Sequence, residues 1–161
     1  MVESFNLISS NSPKIMILGS APSVISLNLY EYYGNNRNSF WPIIAKIYNK
    51  KNFKSYNEKI NFIKDNNLLL WDVVQTCSRK GSLDSSIQNV EVNDIKSLLD
   101  NNESLKAIMF NGKTAYNLYK KYINYFSKNI DFNILPSTSP AYTISFNDKY
   151  CLWKKVFDKY K

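Results

Sequence analysis

Four short apolar runs, each closed by turn-forming residues and separated by amphipathic stretches, constrain this chain more than any other feature. They are Lys14 to Gly19 (KIMILG), Leu68 to Val74 (LLLWDVV), Lys106 to Phe110 (KAIMF) and Ile130 to Leu135 (IDFNIL). Runs this short and this uniformly apolar suit strands covered on both faces, which is the situation of a parallel sheet. Helical spacing lies between them. Phe40, Trp41, Ile44, Ile47 and Tyr48 recur on one face, with Pro42 tolerated in a first turn. Further helices are expected over Tyr56 to Asp65, near Asn93 to Leu99, from Asn111 and Gly112 through Phe126, and from Asp148 to Tyr160. The segment from Gly19 to Asn38 reads as a loop. Alternating strands and helices predict an α/β fold: a three-layer sandwich with a parallel four-stranded central sheet flanked by helices, in a single domain spanning residues 1–161. In such sheets ligands bind beyond the carboxyl ends of the strands, which gathers the loops after Leu18, Leu70, Phe110 and Leu135 on one edge.

Composition narrows the chemistry available there. The chain has no histidine, which removes the serine-hydrolase triad, imidazole acid/base work and the usual zinc ligands. Its two cysteines, Cys77 and Cys151, lack paired metal spacing and read as reduced thiols, so no metal or other cofactor is expected. Carboxamides, carboxylates, hydroxyls and backbone dipoles must do any catalysis. A net charge of +8, from 21 basic and 13 acidic side chains, favours a polyanionic partner, although an AT-rich genome gives the same Lys and Asn abundance. No secretory signal or membrane-length apolar run is present, so a cytoplasmic protein without membrane contact is expected, as a monomer.

Three loop segments carry chemistry-bearing residues. Gly19, Ser20, Ala21, Pro22 and Ser23 form a small-residue turn after a strand, able to aim backbone amides at an anion or a base, or simply to join strand to helix. Tyr32 to Trp41 (YYGNNRNSFW) packs stacking faces such as Tyr33, a cation in Arg37 and several carboxamides into ten positions. Such a set can hold an extruded base and meet phosphate. Phe40 and Trp41 equally fit a helix core face and Asn38 its N-cap. Leu135 to Tyr142 (LPSTSPAY) combines hydroxyls with prolines in a rigid turn that suits phosphodiester contacts.

Taken together, these segments resemble the uracil-DNA glycosylase superfamily, and within it the deoxyinosine (hypoxanthine) branch. The resemblance runs through ILGSAPSVIS at 17–26, YYGNNRNSFW at 32–41, LLWDVV at 69–74, GSLDSSI at 81–87, FNGKTAY at 110–116 and LPSTSPA at 135–141. It implies an enzyme that flips a deaminated nucleotide from double- or single-stranded DNA and hydrolyses its N-glycosidic bond. The first motif of that superfamily normally carries an Asp or Asn that positions water, and Ala21 stands there instead. The branch uses the Asn ahead of the Phe-Trp pair, here Asn38. By the same carry-over Phe40 stacks on the base, Gly19, Ser20, Ala21, Pro22, Ser23 and Tyr33 line its pocket, and Asp72 faces the base edge or caps a turn. Ser137, Thr138, Ser139 and Pro140 grip flanking phosphates with Arg37 and Lys113, Asn111 caps its helix, and Tyr142 is the candidate wedge where the branch often has Asn. The second motif often opens with His and here has Leu135. Two rival readings remain open on sequence: a uracil- or mismatch-specific glycosylase of the same fold, and a catalytically silent DNA-binding relative.

Overall fold

The computed structural model describes residues 1–161. In chain order the strands are β1 (Val2–Glu3), β2 (Ile8–Ser9), β3 (Ile15–Gly19), β4 (Leu68–Asp72), β5 (Val74–Ser78), β6 (Gln88–Val92), β7 (Ala107–Asn111) and β8 (Asp131–Leu135). The helices are α1 (Val24–Leu29), α2 (Phe40–Ile47), α3 (Tyr56–Asp65), α4 (Ile95–Asp100), α5 (Lys113–Tyr122) and α6 (Phe146–Phe157).

The four expected strands are β4, β3, β7 and β8, paired parallel in that order. The expectation of a sheet with only these four needs correction. Two-residue β2 adds antiparallel to β4, which makes a five-stranded mixed sheet ordered β2-β4-β3-β7-β8. A second sheet, β1-β5-β6, is antiparallel throughout. The apolar run at 68–74 is therefore two strands broken at Val73, and the loop expected after Gly19 contains α1.

Period-two alternation sorts the apolar side chains of the main sheet between two cores. Ile15, Ile17, Leu68, Leu70, Ala107 and Met109 point to one face and pack with α2, α3 and α6 through Phe40, Ile44, Ile63, Trp153 and Phe157. Met16, Leu18, Leu69, Ile108 and Phe110 point to the other and meet α4 and α5 through Ile95, Leu99, Ala115 and Tyr119. With both faces covered, the inner strands β3, β4 and β7 carry no polar side chain until their last residues, whereas edge strand β8 opens on exposed Asp131 and carries Asn133. Asp72 and Asn111 accordingly stand at the carboxyl tips of β4 and β7, with Gly19 aligned on Asp72 and Asn111 on Leu135. No helix is long and apolar enough to cross a membrane.

Candidate active site

The loops that leave this edge enclose a cavity of about 320 Å³, at the small end of ligand pockets. Gly19, Ser20, Ala21, Pro22, Ser23, Tyr33, Asn38, Asp72, Ser137, Thr138, Ser139 and Pro140 all line it. A groove that shares Ser137 and Ser139 with the cavity continues past Lys113 to Tyr142. Arg37 is exposed and lies on neither wall.

Asn38 precedes α2. Its Oδ1 accepts the Phe40 amide at 2.9 Å, while Ser39 occupies the N-cap position without a side-chain cap bond. The N-cap position expected for Asn38 thus falls to Ser39, while the Asn38 side chain bonds the first amide of the helix and lines the cavity. The bond to Phe40 fixes the carboxamide plane and leaves one lone pair of Oδ1 open to a further donor.

Phe40 is fully buried and off the cavity wall, which corrects its expected placement against a base. As the first residue of α2 its ring points into the core, between Trp41 at 4.8 Å and Trp153 at 6.0 Å. Phe5, Tyr32 and Tyr33 are the aromatic residues that line the cavity, and the Tyr33 ring lies 4.2 Å from Phe40, tilted 33° to it.

Beneath Tyr33 lies Asp72, with Oδ2 buried and unpartnered; the Tyr33 hydroxyl is likewise buried without a partner. Gly19 makes this arrangement possible, because a Cβ there would stand 2.5 Å from Asp72 Oδ1 and 3.0 Å from the Tyr33 oxygen. Burial pushes the Asp72 carboxyl up to about 7, with the Arg79 guanidinium opposing the shift and the Asp84 charge adding to it. Burial, with Asp72 nearby, also pushes the Tyr33 phenol up, so it stays neutral.

A carboxyl raised in the folded state contributes stability that is complete below its ordinary value of 3.8 and lost as pH climbs through about 7. Asp72→Asn is therefore expected to raise the melting temperature above about pH 7 and to change it little near pH 4. Melting curves of both proteins across this range check it; a gain independent of pH would mean that Asp72 is not the buried titrating group.

Thr138 is fully buried, which leaves it no exposed surface to meet a phosphate and corrects its expected placement as a DNA contact. Its amide donates to Asn111 Oδ1 and its hydroxyl accepts from Asn111 Nδ2, each at 2.9 Å. Its carbonyl accepts the Ser39 amide at 3.0 Å and the Ser39 hydroxyl at 3.1 Å. Asn111 is thereby a clamp across the strand tips, and the residue before α5 is Gly112, not Asn111 as expected. Gly112 has φ +95°, and a Cβ on it would press within 2.9 Å of Ser137 Cβ.

The neighbouring turn leaves its hydroxyl protons available. Ser137 Oγ accepts the Ser139 amide and Ser139 Oγ accepts the Ala141 amide, both at 3.2 Å, so each O–H can still donate outward. The Ala21 and Ser23 amides likewise donate to no protein acceptor.

The segment at 79–84, which carries no recognisable catalytic pattern in the sequence, forms one side of the cavity. Arg79 donates to the carbonyls of Pro22 and Gly81, Ser82 accepts the Val24 amide, and Asp84 accepts the Ser20 hydroxyl at 3.2 Å. The GSLDSSI motif was its only signal. No group of three or more Cys, Asp or Glu side chains converges as a metal site would require.

Comparison with known proteins agrees with this geometry. The family model described as the Uracil DNA glycosylase superfamily matches residues 5–160. A hypoxanthine DNA glycosylase of Methanosarcina acetivorans is 33% identical over 156 residues, covering 95% of this chain and 96% of the relative. One from Methanosarcina barkeri is 29% identical over 160 residues, covering 98% of each. The solution NMR structure of a candidate uracil DNA glycosylase from Methanosarcina acetivorans superposes with a TM-score of 0.83 at 31% identity, over 99% of this chain and 98% of that one. With the family model spanning nearly every residue and the strand-tip cavity in place, this chain belongs to the uracil DNA glycosylase superfamily.

Proposed function

We propose that this protein excises a deaminated base from DNA, hypoxanthine foremost, by hydrolysing its N-glycosidic bond and leaving an abasic site. The observation that carries the reading is Asn38, a carboxamide fixed by the Phe40 amide on the wall of the strand-tip cavity, where Ala21 cannot orient water. The names of the two Methanosarcina relatives support hypoxanthine as the base.

Breaking the bond builds positive charge on the sugar and negative charge on the departing base. Asn38 Oδ1 accepts a hydrogen bond from the attacking water and so aims its lone pair at the sugar carbon; the hydroxyl is left on the sugar and the water's proton ends on the departing base. The free amides of Ala21 and Ser23 receive charge on the base. Tyr33 supplies the stacking face in place of Phe40. Asp72, which in its buried site keeps its proton below about pH 7, then offers an O–H and a carbonyl to the –NH–CO– edge that hypoxanthine shares with uracil. Ser137, Ser139 and Pro140 form the phosphate-gripping turn, with Lys113, Arg37 and Tyr142 along the strand. No lysine lines the cavity, which supports simple hydrolysis over amine attack on the sugar.

The test is single-turnover cleavage of duplexes bearing inosine, uracil or xanthine, with alkali to reveal abasic sites and EDTA in parallel reactions. Inosine is expected to be cleaved fastest and without dependence on metal. Faster cleavage of uracil would move the chain to a uracil-specific reading, binding without cleavage would make it a silent relative, and loss of activity on chelation restored by zinc would overturn the metal-free scheme.

A further inference from the structure

Behind the Ser-Pro turn stands a buried cation with no anion. Lys149, on α6, is only 4% exposed, yet it belongs to none of the ion pairs of the fold, which join Lys50 to Glu58, Lys96 to Asp100, and Lys154 and Lys161 to Asp158. Its neighbour Asp148 is exposed, and adjacent helical residues do not face each other. Lys149 also lies in the first turn of α6, where the helix dipole disfavours positive charge. Burial alone pulls its ammonium below the usual lysine range, with no opposing charge beside it. An ammonium held this way loses hydration that an opposing charge or further acceptors would have to replace.

The ammonium is directed at the turn. Nζ donates to the Ser139 carbonyl at 2.9 Å, and the same carbonyl accepts the Tyr142 amide at 3.1 Å, closing a four-residue turn with Pro140 at its second position. The Tyr142 ring centroid lies 5.7 Å from Nζ. Of three ammonium protons one has a protein acceptor, and the turn it holds presents the two serine hydroxyls whose protons are unspent.

We propose that Lys149 is a DNA-phosphate recognition residue, whose missing counter-ion is the phosphodiester seated on the Ser137 and Ser139 hydroxyls. Lys149 acts from behind the turn, holding Ser139 in position and supplying an uncompensated charge that only bound DNA neutralises. This rests on the DNA-glycosylase reading above, and goes beyond it by naming the cation.

The experiment measures affinity for a duplex carrying a tetrahydrofuran abasic-site analogue across a salt series, for the unaltered chain and for Lys149→Met, Lys149→Gln and Lys149→Arg. Glutamine keeps a donor for the Ser139 carbonyl and lacks the charge. For Lys149→Met and Lys149→Gln, affinity at low salt is expected to fall on the order of tenfold. The slope of log affinity against log salt should flatten by about one, since each neutralised phosphate contributes about 0.9. Lys149→Arg is expected to restore most of both. The melting temperature of Lys149→Met is expected to hold or rise, because an unpaired buried charge has gone. An unchanged salt slope in both uncharged variants overturns the proposal while leaving the DNA reading intact. Failure of the unaltered chain to bind the duplex overturns both.

Discussion

Asn38→Ala is expected to lower the single-turnover excision rate on the order of a hundredfold or more, because under the proposed mechanism it removes the group that orients the attacking water. The same substitution deprives the Phe40 amide of its acceptor, which costs about 1 kcal/mol at a helix start. A loss of that size in stability cannot account for a hundredfold loss in rate when the assay is run well below the melting temperature. Asn38→Asp separates the two roles. It keeps an oxygen for the Phe40 amide and an acceptor for a water proton, so stability should return fully and the rate in part. Melting temperature, affinity for an uncleavable inosine analogue and single-turnover cleavage are to be read on both variants. A stable, DNA-binding and fully active Asn38→Ala protein would sink the water-orienting role and leave Asn38 only as the acceptor of the Phe40 amide.

The parallel half of the fold is legible in the sequence for a physical reason. Strands β3, β4 and β7 are covered on both faces, so they carry no polar residue before their tips and read as uninterrupted apolar runs, while edge strand β8 shows the weaker pattern of Asp131 and Asn133 between apolar residues. The second sheet gives no such signal. Gln88–Val92 is largely exposed, and β2 is two residues long, so neither has an apolar face to declare. The place of Asn38 at the start of α2 and on the cavity wall is legible because its neighbourhood is local in sequence. Phe40 was not, since a helix core face and a stacking face ask for the same residue type, and only packing against Trp153 separates them. Asn111 and Thr138 were misread for the opposite reason. Each suits its local motif, as a helix cap and a polar turn residue, but their decisive partners lie 27 residues apart and meet only at the strand tips.

That meeting point yields the second large expected effect. Thr138 receives Asn111 from β7 through two bonds of 2.9 Å and Ser39 through two more, so one buried residue joins the strand edge, the Ser-Pro turn and the segment that carries Asn38. Asn111→Ala leaves the Thr138 amide and hydroxyl buried without partners, which is expected to cost about 1–3 kcal/mol. It also frees the turn and the Asn38 segment to drift, and a displacement of about 1 Å in a positioning group can cost up to about a hundredfold in rate. Thr138→Ser keeps every donor and acceptor of the clamp and is expected to behave nearly as the unaltered protein. Rates at saturating DNA, compared at a temperature where each variant is fully folded, distinguish the roles. If Asn111→Ala melts earlier yet cleaves at the full rate per folded molecule, the clamp only stabilises the fold. If the rate falls while Thr138→Ser retains it, Asn111 is a positioning residue that holds Asn38 and the phosphate-gripping turn in one register.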